Sequence, residues 1–101
     1  MFTLQISYPV QDYEAFKKVF DTDPAGRAAS GARLVRLFRD TADQNSVTVL
    51  LDFDTKDAAT LFLERLRSDV WDKPEVIGQL MTASPTARIL EETAREGQGA
   101  G

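Results

Sequence analysis

Residues 2–8 and 46–54 each divide into an apolar face and a polar one. In the first segment Phe2, Leu4, Ile6 and Tyr8 alternate with Thr3, Gln5 and Ser7, and in the second Val47, Val49, Leu51 and Phe53 alternate with Ser46, Thr48, Leu50 and Asp52. Side chains on a strand switch sides at every residue, so both segments are expected to be strands with one buried face. Residues 32–39 form a less regular strand, with Arg33, Val35, Leu37 and Arg39 on one face and Ala32, Leu34, Arg36 and Phe38 on the other. Both of its faces carry apolar side chains, so neither is expected simply to face water. The polar run from Asp40 to Asn45 is short enough to join this strand and the next as a hairpin. Residues 86–92 read as a fourth strand, with Ala87 and Ile89 opposite Arg88 and Leu90.

Between the strands the period lengthens. From Asp12 to Phe20 the apolar residues fall at 13, 16, 19 and 20, as on one side of a helix, with Asp12 and Glu14 early and lysines later, as the helix dipole favours. Asp23-Pro24 stops that helix, and Pro24 is expected to open a short helical stretch that Gly31 ends. Asp54 and Asp57 have the spacing of a helix cap, followed by Ala58, Ala59, Leu61, Phe62, Leu63 and Leu66 up to about residue 67. Asp72-Lys73-Pro74-Glu75 predicts a further short helix presenting Val76, Ile77 and Leu80, broken at Ser84-Pro85. The remainder is rich in Gly, Ala and polar residues. The expected organisation is one domain over 1–93 and a disordered tail over 94–101.

The order strand, helix, strand, strand, helix, strand, closed by right-handed crossovers, gives an α+β ferredoxin-like fold. It is a four-stranded antiparallel sheet with helices on one face and strands one and three at the centre. The cleanest alternation falls on the two strands expected to be central.

Composition narrows the chemistry. Of 101 residues, 12 are basic and 16 acidic, for a net charge of −4, and the basic ones are interspersed with acids, which argues against a nucleic-acid surface. The sequence contains no cysteine and no histidine, which removes thiolate chemistry, Ser-His-Asp catalysis, haem ligation by histidine and the common zinc sites. No cofactor is expected. No apolar run approaches the roughly 20 residues of a membrane helix, and the N-terminus lacks a secretory pattern, so a cytoplasmic protein without a membrane partner is expected.

Helices on one face leave the other to be accounted for. It would carry Thr3, Gln5, Ser7, Thr48, Leu50 and Asp52 from the central strands, with Arg36, Phe38, Arg88 and Leu90 from the edges. Leu50, Leu90 and Phe38 pointing away from the helices favour a covered face. Four strands about 4.8 Å apart and about seven residues long project on the order of 400 Å². A standard interface takes about 800 Å² per partner, so edge strands or the C-terminal strand must contribute.

The segments Tyr13-Glu14-Ala15-Phe16-Lys17-Lys18-Val19-Phe20-Asp21, Asp23-Pro24-Ala25-Gly26-Arg27 and Ser30-Gly31-Ala32-Arg33 resemble those of small bacterial proteins of the dimeric α/β-barrel superfamily. That superfamily includes antibiotic-biosynthesis-type monooxygenases, polyketide cyclase-like proteins and stress-responsive barrel proteins. The resemblance spans roughly residues 2–92 and implies a homodimer whose sheets form a barrel, with a pocket between the helices and sheet of each subunit. It further implies binding of a small hydrophobic or aromatic metabolite. Cofactor-free monooxygenases of the superfamily use Asn, Trp and Tyr side chains, whereas here Asn45, Trp71, Tyr8 and Tyr13 are dispersed and match no oxygenase motif residue by residue. Branches that depend on a histidine ligand are excluded.

The candidate ligand-binding residues are therefore Gln5, Arg36, Asp52, Arg88, Tyr13 and Trp71, with no catalytic residue assigned. Arg36 and Arg88 are expected to flank Asp52 on the non-helical face, forming an ion pair at the dimer seam or holding an anionic or enolate ligand. Arg27 and Arg33 could guard a pocket mouth. Asp21-Thr22-Asp23 reads as helix-end solvation rather than a metal site. Three functions stay open: a metabolite-binding homodimer, a cofactor-independent monooxygenase or cyclase-like enzyme using Asp52, an arginine and a tyrosine, and a dimerisation or regulatory module without a ligand.

Overall fold

A computed structural model describes residues 1–75 and 80–97. Strands β1 (Phe2–Pro9), β2 (Leu34–Arg39), β3 (Ser46–Phe53) and β4 (Thr86–Glu91) and helices α1 (Tyr13–Asp21) and α2 (Lys56–Leu66) follow in the order β1-α1-β2-β3-α2-β4. The sheet order is β2-β3-β1-β4 and every pairing is antiparallel, so the two strongly alternating strands are the central ones. This is the ferredoxin-like arrangement that the sequence pattern predicts.

The core lies between the sheet and the helices. Leu4, Ile6 and Tyr8 of β1 and Val47, Val49, Leu51 and Phe53 of β3 are buried there, against Phe16 of α1 and Ala59, Phe62, Leu63 and Leu66 of α2. Val35 and Leu37 of β2 and Ala87 and Ile89 of β4 extend the same layer to the edges. Rings contribute much of the contact: Phe53 meets Phe62 at 5.6 Å between centroids, and Tyr8 meets Phe16 at 5.0 Å.

Local chemistry explains where the helices begin. Asp12 caps α1, its carboxylate accepting the Ala15 N–H at 3.1 Å. Helix α2 is capped by Thr55, whose hydroxyl accepts the Ala58 N–H at 3.1 Å, and not by Asp54 as its spacing to Asp57 suggests. Asp54 is engaged elsewhere, accepting from Nε and Nη2 of Arg33 at 3.1 and 2.6 Å.

Two expected helices differ. Residues 24–31 form successive turns, because Gly26 (φ 69°), inside the expected stretch, adopts left-handed backbone that a helix cannot contain, while Gly31 (φ 93°) ends it as expected. Asp23 (φ 52°) enters this strap in the same region, which Asp tolerates better than most residues. Beyond α2 the chain continues as a π-helical turn over Arg67–Trp71 that buries Val70 and that Asp72 closes through its own N–H, and Pro74 and Glu75 are again π-helical where the next helix is expected to start. Of the helix expected next, Val76 and Ile77 lie outside the described residues, and Leu80 packs half-buried on the core. The tail expected from residue 94 lies partly outside them too. Residues 94–97 have no regular secondary structure, and Arg95 pairs with Glu92.

Candidate functional site

The two faces of the sheet are built for different contacts. On the face away from the helices, strand register lines up three rows: Leu34, Asp52, Thr3 and Leu90; then Arg36, Leu50, Gln5 and Arg88; then Phe38, Thr48, Ser7 and Thr86. Leu34, Phe38 and Leu90 are 50, 43 and 40% exposed there. Two polar side chains of the middle row pair with each other, Arg88 Nε donating to Gln5 Oε1 at 2.8 Å. A shallow polar depression of about 270 Å³ runs along β1 and β4 over Gln5, Ser7, Thr86 and Arg88.

The expected Arg36–Asp52–Arg88 cluster does not form in the subunit. Register places both arginines one row away from Asp52, beside Leu50 and Gln5. Asp52 is instead buried between Leu34 and Thr3, where its Oδ1 accepts the Thr3 hydroxyl at 2.7 Å. Arg36 lies over the ring of its own-face neighbour Phe38, 5.5 Å from the centroid.

The second candidate site lies on the other side of the sheet. Ile6 and Tyr8 of β1, Val49 and Leu51 of β3, Phe16 and Phe20 of α1, Phe62 and Leu66 of α2 and the strap at 23–27 surround an apolar hollow. It encloses about 50 Å³, and about 520 Å³ when the mouth open to solvent is counted. Trp71 stands in its wall, edge-on to Tyr8 with ring centroids 5.9 Å apart. The indole Nε1–H is buried and meets no hydrogen-bond acceptor among the described residues. The Tyr8 hydroxyl beside it feels this donor, so Trp71 and Tyr8 together form a polar point in an otherwise apolar wall.

Arg27 forms part of the same wall, its guanidinium 3.9 Å above the Phe20 ring. Nη1 donates to the Phe20 carbonyl at 3.0 Å, and Nε lies 3.5 Å from Asp23 Oδ1. That carboxylate oxygen also accepts the Arg27 backbone N–H at 2.7 Å, which ties the strap into a tight loop.

Burial pushes the Tyr8 hydroxyl up to about 12, with Trp71 and the positive charge of Arg27 pulling the other way. Tyr8 is therefore a neutral donor at any physiological pH. Because the folded value exceeds the unfolded one of 10, folding holds the proton more tightly and stability is lost as pH rises from about 10 through 12. Two units correspond to about 2–3 kcal/mol. Urea denaturation of Tyr8→Phe is expected to show a smaller alkaline loss than the wild type over that window.

The six candidates from the sequence thus fall into three places. Gln5, Arg88, Arg36 and Asp52 share the open face, and only Gln5 and Arg88 touch through a hydrogen bond. Trp71 lines the cavity. Tyr13 does not; it lies half-buried under the Arg39 guanidinium, 4.1 Å from the ring centroid. Of the two arginines expected at a pocket mouth, Arg27 is there and Arg33 is bound to Asp54 on the surface. Phe16 also lines the wall though nothing singles it out in the sequence, while Tyr8 stands there only among the dispersed oxygenase-type side chains and Asp23 only as helix-end solvation. Their only signal was apolar spacing in α1 and β1 and the strained Asp-Pro entry to the strap.

No protein-family model matches the sequence, and no curated protein is significantly similar to it. Solved structures do match its fold. A putative antibiotic biosynthesis monooxygenase from Nitrosomonas europaea superposes with a TM-score of 0.71 at 13% identity, over 93% of this chain and 100% of the other. An uncharacterized NIPSNAP domain protein from Burkholderia xenovorans gives 0.68 at 19% identity, over 97% and 100%. A putative antibiotic biosynthesis monooxygenase from Bordetella bronchiseptica gives 0.66 at 21% identity, over 92% and 98%. At these identities the likeness concerns the backbone: the chain has the ferredoxin-like α+β fold of the antibiotic biosynthesis monooxygenase-like and NIPSNAP domain proteins.

Proposed function

We propose that the protein is a homodimer joined through its open sheet faces and that the cavity under its helices binds a small hydrophobic or aromatic metabolite. The observation that carries this reading is the apolar, ring-lined hollow with Trp71 and Tyr8 in its wall. A dry cavity of about 150 Å³ is enough for benzene. The enclosed 50 Å³ is less than that, so a ring would also occupy the mouth beside the strap. A second copy as partner accounts for the exposed Leu34, Phe38 and Leu90 on the opposite face. The sheet face projects only about 400 Å², so the dimer needs the edge strands and the residues after β4 as well.

The chain's one tryptophan makes the test direct. Titration with toluene should change Trp71 fluorescence saturably, and Ala25→Leu, which fills the buried strap position, should weaken that response about tenfold, as for about 1.4 kcal/mol. A wild-type response that never saturates overturns the reading and favours a module without a ligand.

A cofactor-independent monooxygenase is the second reading, favoured by Tyr8 and Trp71 meeting at the cavity in a fold shared with putative monooxygenases. A catalyst combining Asp52 with these residues is not assembled within one subunit, because Asp52 lies on the opposite face of the sheet. Turnover of quinol or hydroxylated anthracyclic compounds that is lost in Trp71→Phe would establish the enzyme.

A further inference from the structure

We propose that Arg27 makes the cavity selective for aromatic ligands that carry a carboxylate, with the ring inside and the charged group at the mouth. The inference rests on the cavity being the ligand site, and it adds what decides which ligand is taken.

The polar groups of the wall are unequal in kind. Arg27 Nη2, Trp71 Nε1 and the Tyr8 hydroxyl can all donate, and neither Nη2 nor Nε1 has a protein partner among the described residues. The carboxylate in the wall, that of Asp23, already takes the Arg27 backbone N–H and lies against the Nε edge of the guanidinium. With Asp23 Oδ1 turned to Arg27 and the Nη2 edge of Arg27 unengaged, the mouth suits a ligand whose polar atoms accept, as those of a carboxylate do, better than an ammonium, which brings only donors.

Arg27 is also held for the task. Stacking on Phe20, the bond from Nη1 to the Phe20 carbonyl and the contact with Asp23 fix the plane of the guanidinium before any ligand arrives. A donor fixed in advance loses little freedom on binding. Position matters as much as charge. The interior opposes a negative charge, as the burial of Tyr8 shows, whereas the Arg27 side chain keeps 20% of its surface open to water. A carboxylate there retains part of its hydration while pairing, and so avoids most of the desolvation that makes buried ion pairs unprofitable. The enclosed volume of about 50 Å³ is too small even for the ring alone, so the ring reaches into the mouth and its substituent lies at the rim, where Arg27 stands.

Benzoate, benzyl alcohol and benzylamine have similar size and differ in charge. Followed by Trp71 fluorescence, benzoate should bind about tenfold or more tightly than benzyl alcohol, as expected for a charge-assisted hydrogen bond, and benzylamine should bind most weakly. In Arg27→Met the benzoate-to-alcohol ratio should fall to about one, and in Arg27→Lys, which keeps the charge but not the stacked, forked guanidinium, only part of it should return. The wild-type ratio should also shrink at high salt, a measurement that needs no variant. Equal binding of benzoate and benzyl alcohol by the wild type, or a ratio unchanged by both salt and Arg27→Met, overturns the selectivity and leaves the cavity reading intact. Failure of all three compounds to bind overturns both.

Discussion

Replacing Phe62 by alanine is expected to destabilise the protein by about 3–5 kcal/mol, which for a domain of this size is a large share of its total stability. Phe62 is 2% exposed, stacks at a tilt on Phe53 5.6 Å away, and forms one wall of the cavity. Its truncation removes apolar contact from the centre of the helix–sheet layer and merges the new void with an existing one. Rigid β-sheet walls on one side leave little scope for collapse, which puts the loss toward the upper end of the range. Urea denaturation followed by circular dichroism measures it. A loss below about 1 kcal/mol would mean that the layer repacks freely, contrary to the way mutated cores usually behave.

The second large effect concerns association. Leu50 is half-buried at the centre of the open face, with Arg36 and Gln5 as its lateral neighbours and Arg88 one strand further. Leu50→Arg would add a cation to a row that already holds two, and in a symmetric dimer it would do so twice. An unpaired charge buried at an interface costs about 3–5 kcal/mol, so the dimer should weaken by at least a hundredfold. Light scattering at micromolar concentration should find dimer for the wild type and monomer for the variant. The isolated subunit should unfold at nearly the same urea concentration, since position 50 faces outward in the monomer. A variant that remains dimeric would place the interface elsewhere.

These two residues also show what could be read from the sequence. Period-two alternation in β1 and β3 reports which side chains are buried, because a strand has only two faces, and Leu4, Ile6, Val47 and Phe53 are where that pattern puts them. Sheet order followed from the same pattern together with handedness. Register did not. A pairing of Asp52 with Arg36 and Arg88 looks reasonable when strands are only assigned to faces, but it fails once Leu50 and Gln5 prove to be their true neighbours. Helix starts were legible to within a residue: Asp12, read as a first-turn acid, is the cap of α1, while Thr55 replaces Asp54 because Arg33, distant in sequence, takes up the acid.

The cavity was the least legible feature. Its wall combines single residues from both central strands, both helices and two irregular segments, so no local spacing encodes it. Trp71 could be suspected as a site residue because it is the one tryptophan, and Arg27 because it follows Asp-Pro-Ala-Gly. Their convergence on Tyr8 depends on the π-helical turn after α2, which no propensity encodes, and on the left-handed backbone at Asp23, Gly26 and Gly31, which those residue types permit without dictating the path of the strap.

The central claim is that the helix side of the sheet holds the ligand while the opposite side meets a second copy. Its most direct test is a titration of isotope-labelled protein with toluene, followed by two-dimensional ¹H–¹⁵N resonance spectra. The single indole N–H, that of Trp71, identifies the cavity without ambiguity. The account predicts saturable shifts of that resonance and of the backbone amides of Phe20, Ala25 and Arg27. Shifts confined to Leu34, Phe38 and Leu90 on the open face, with the indole unmoved, would contradict it.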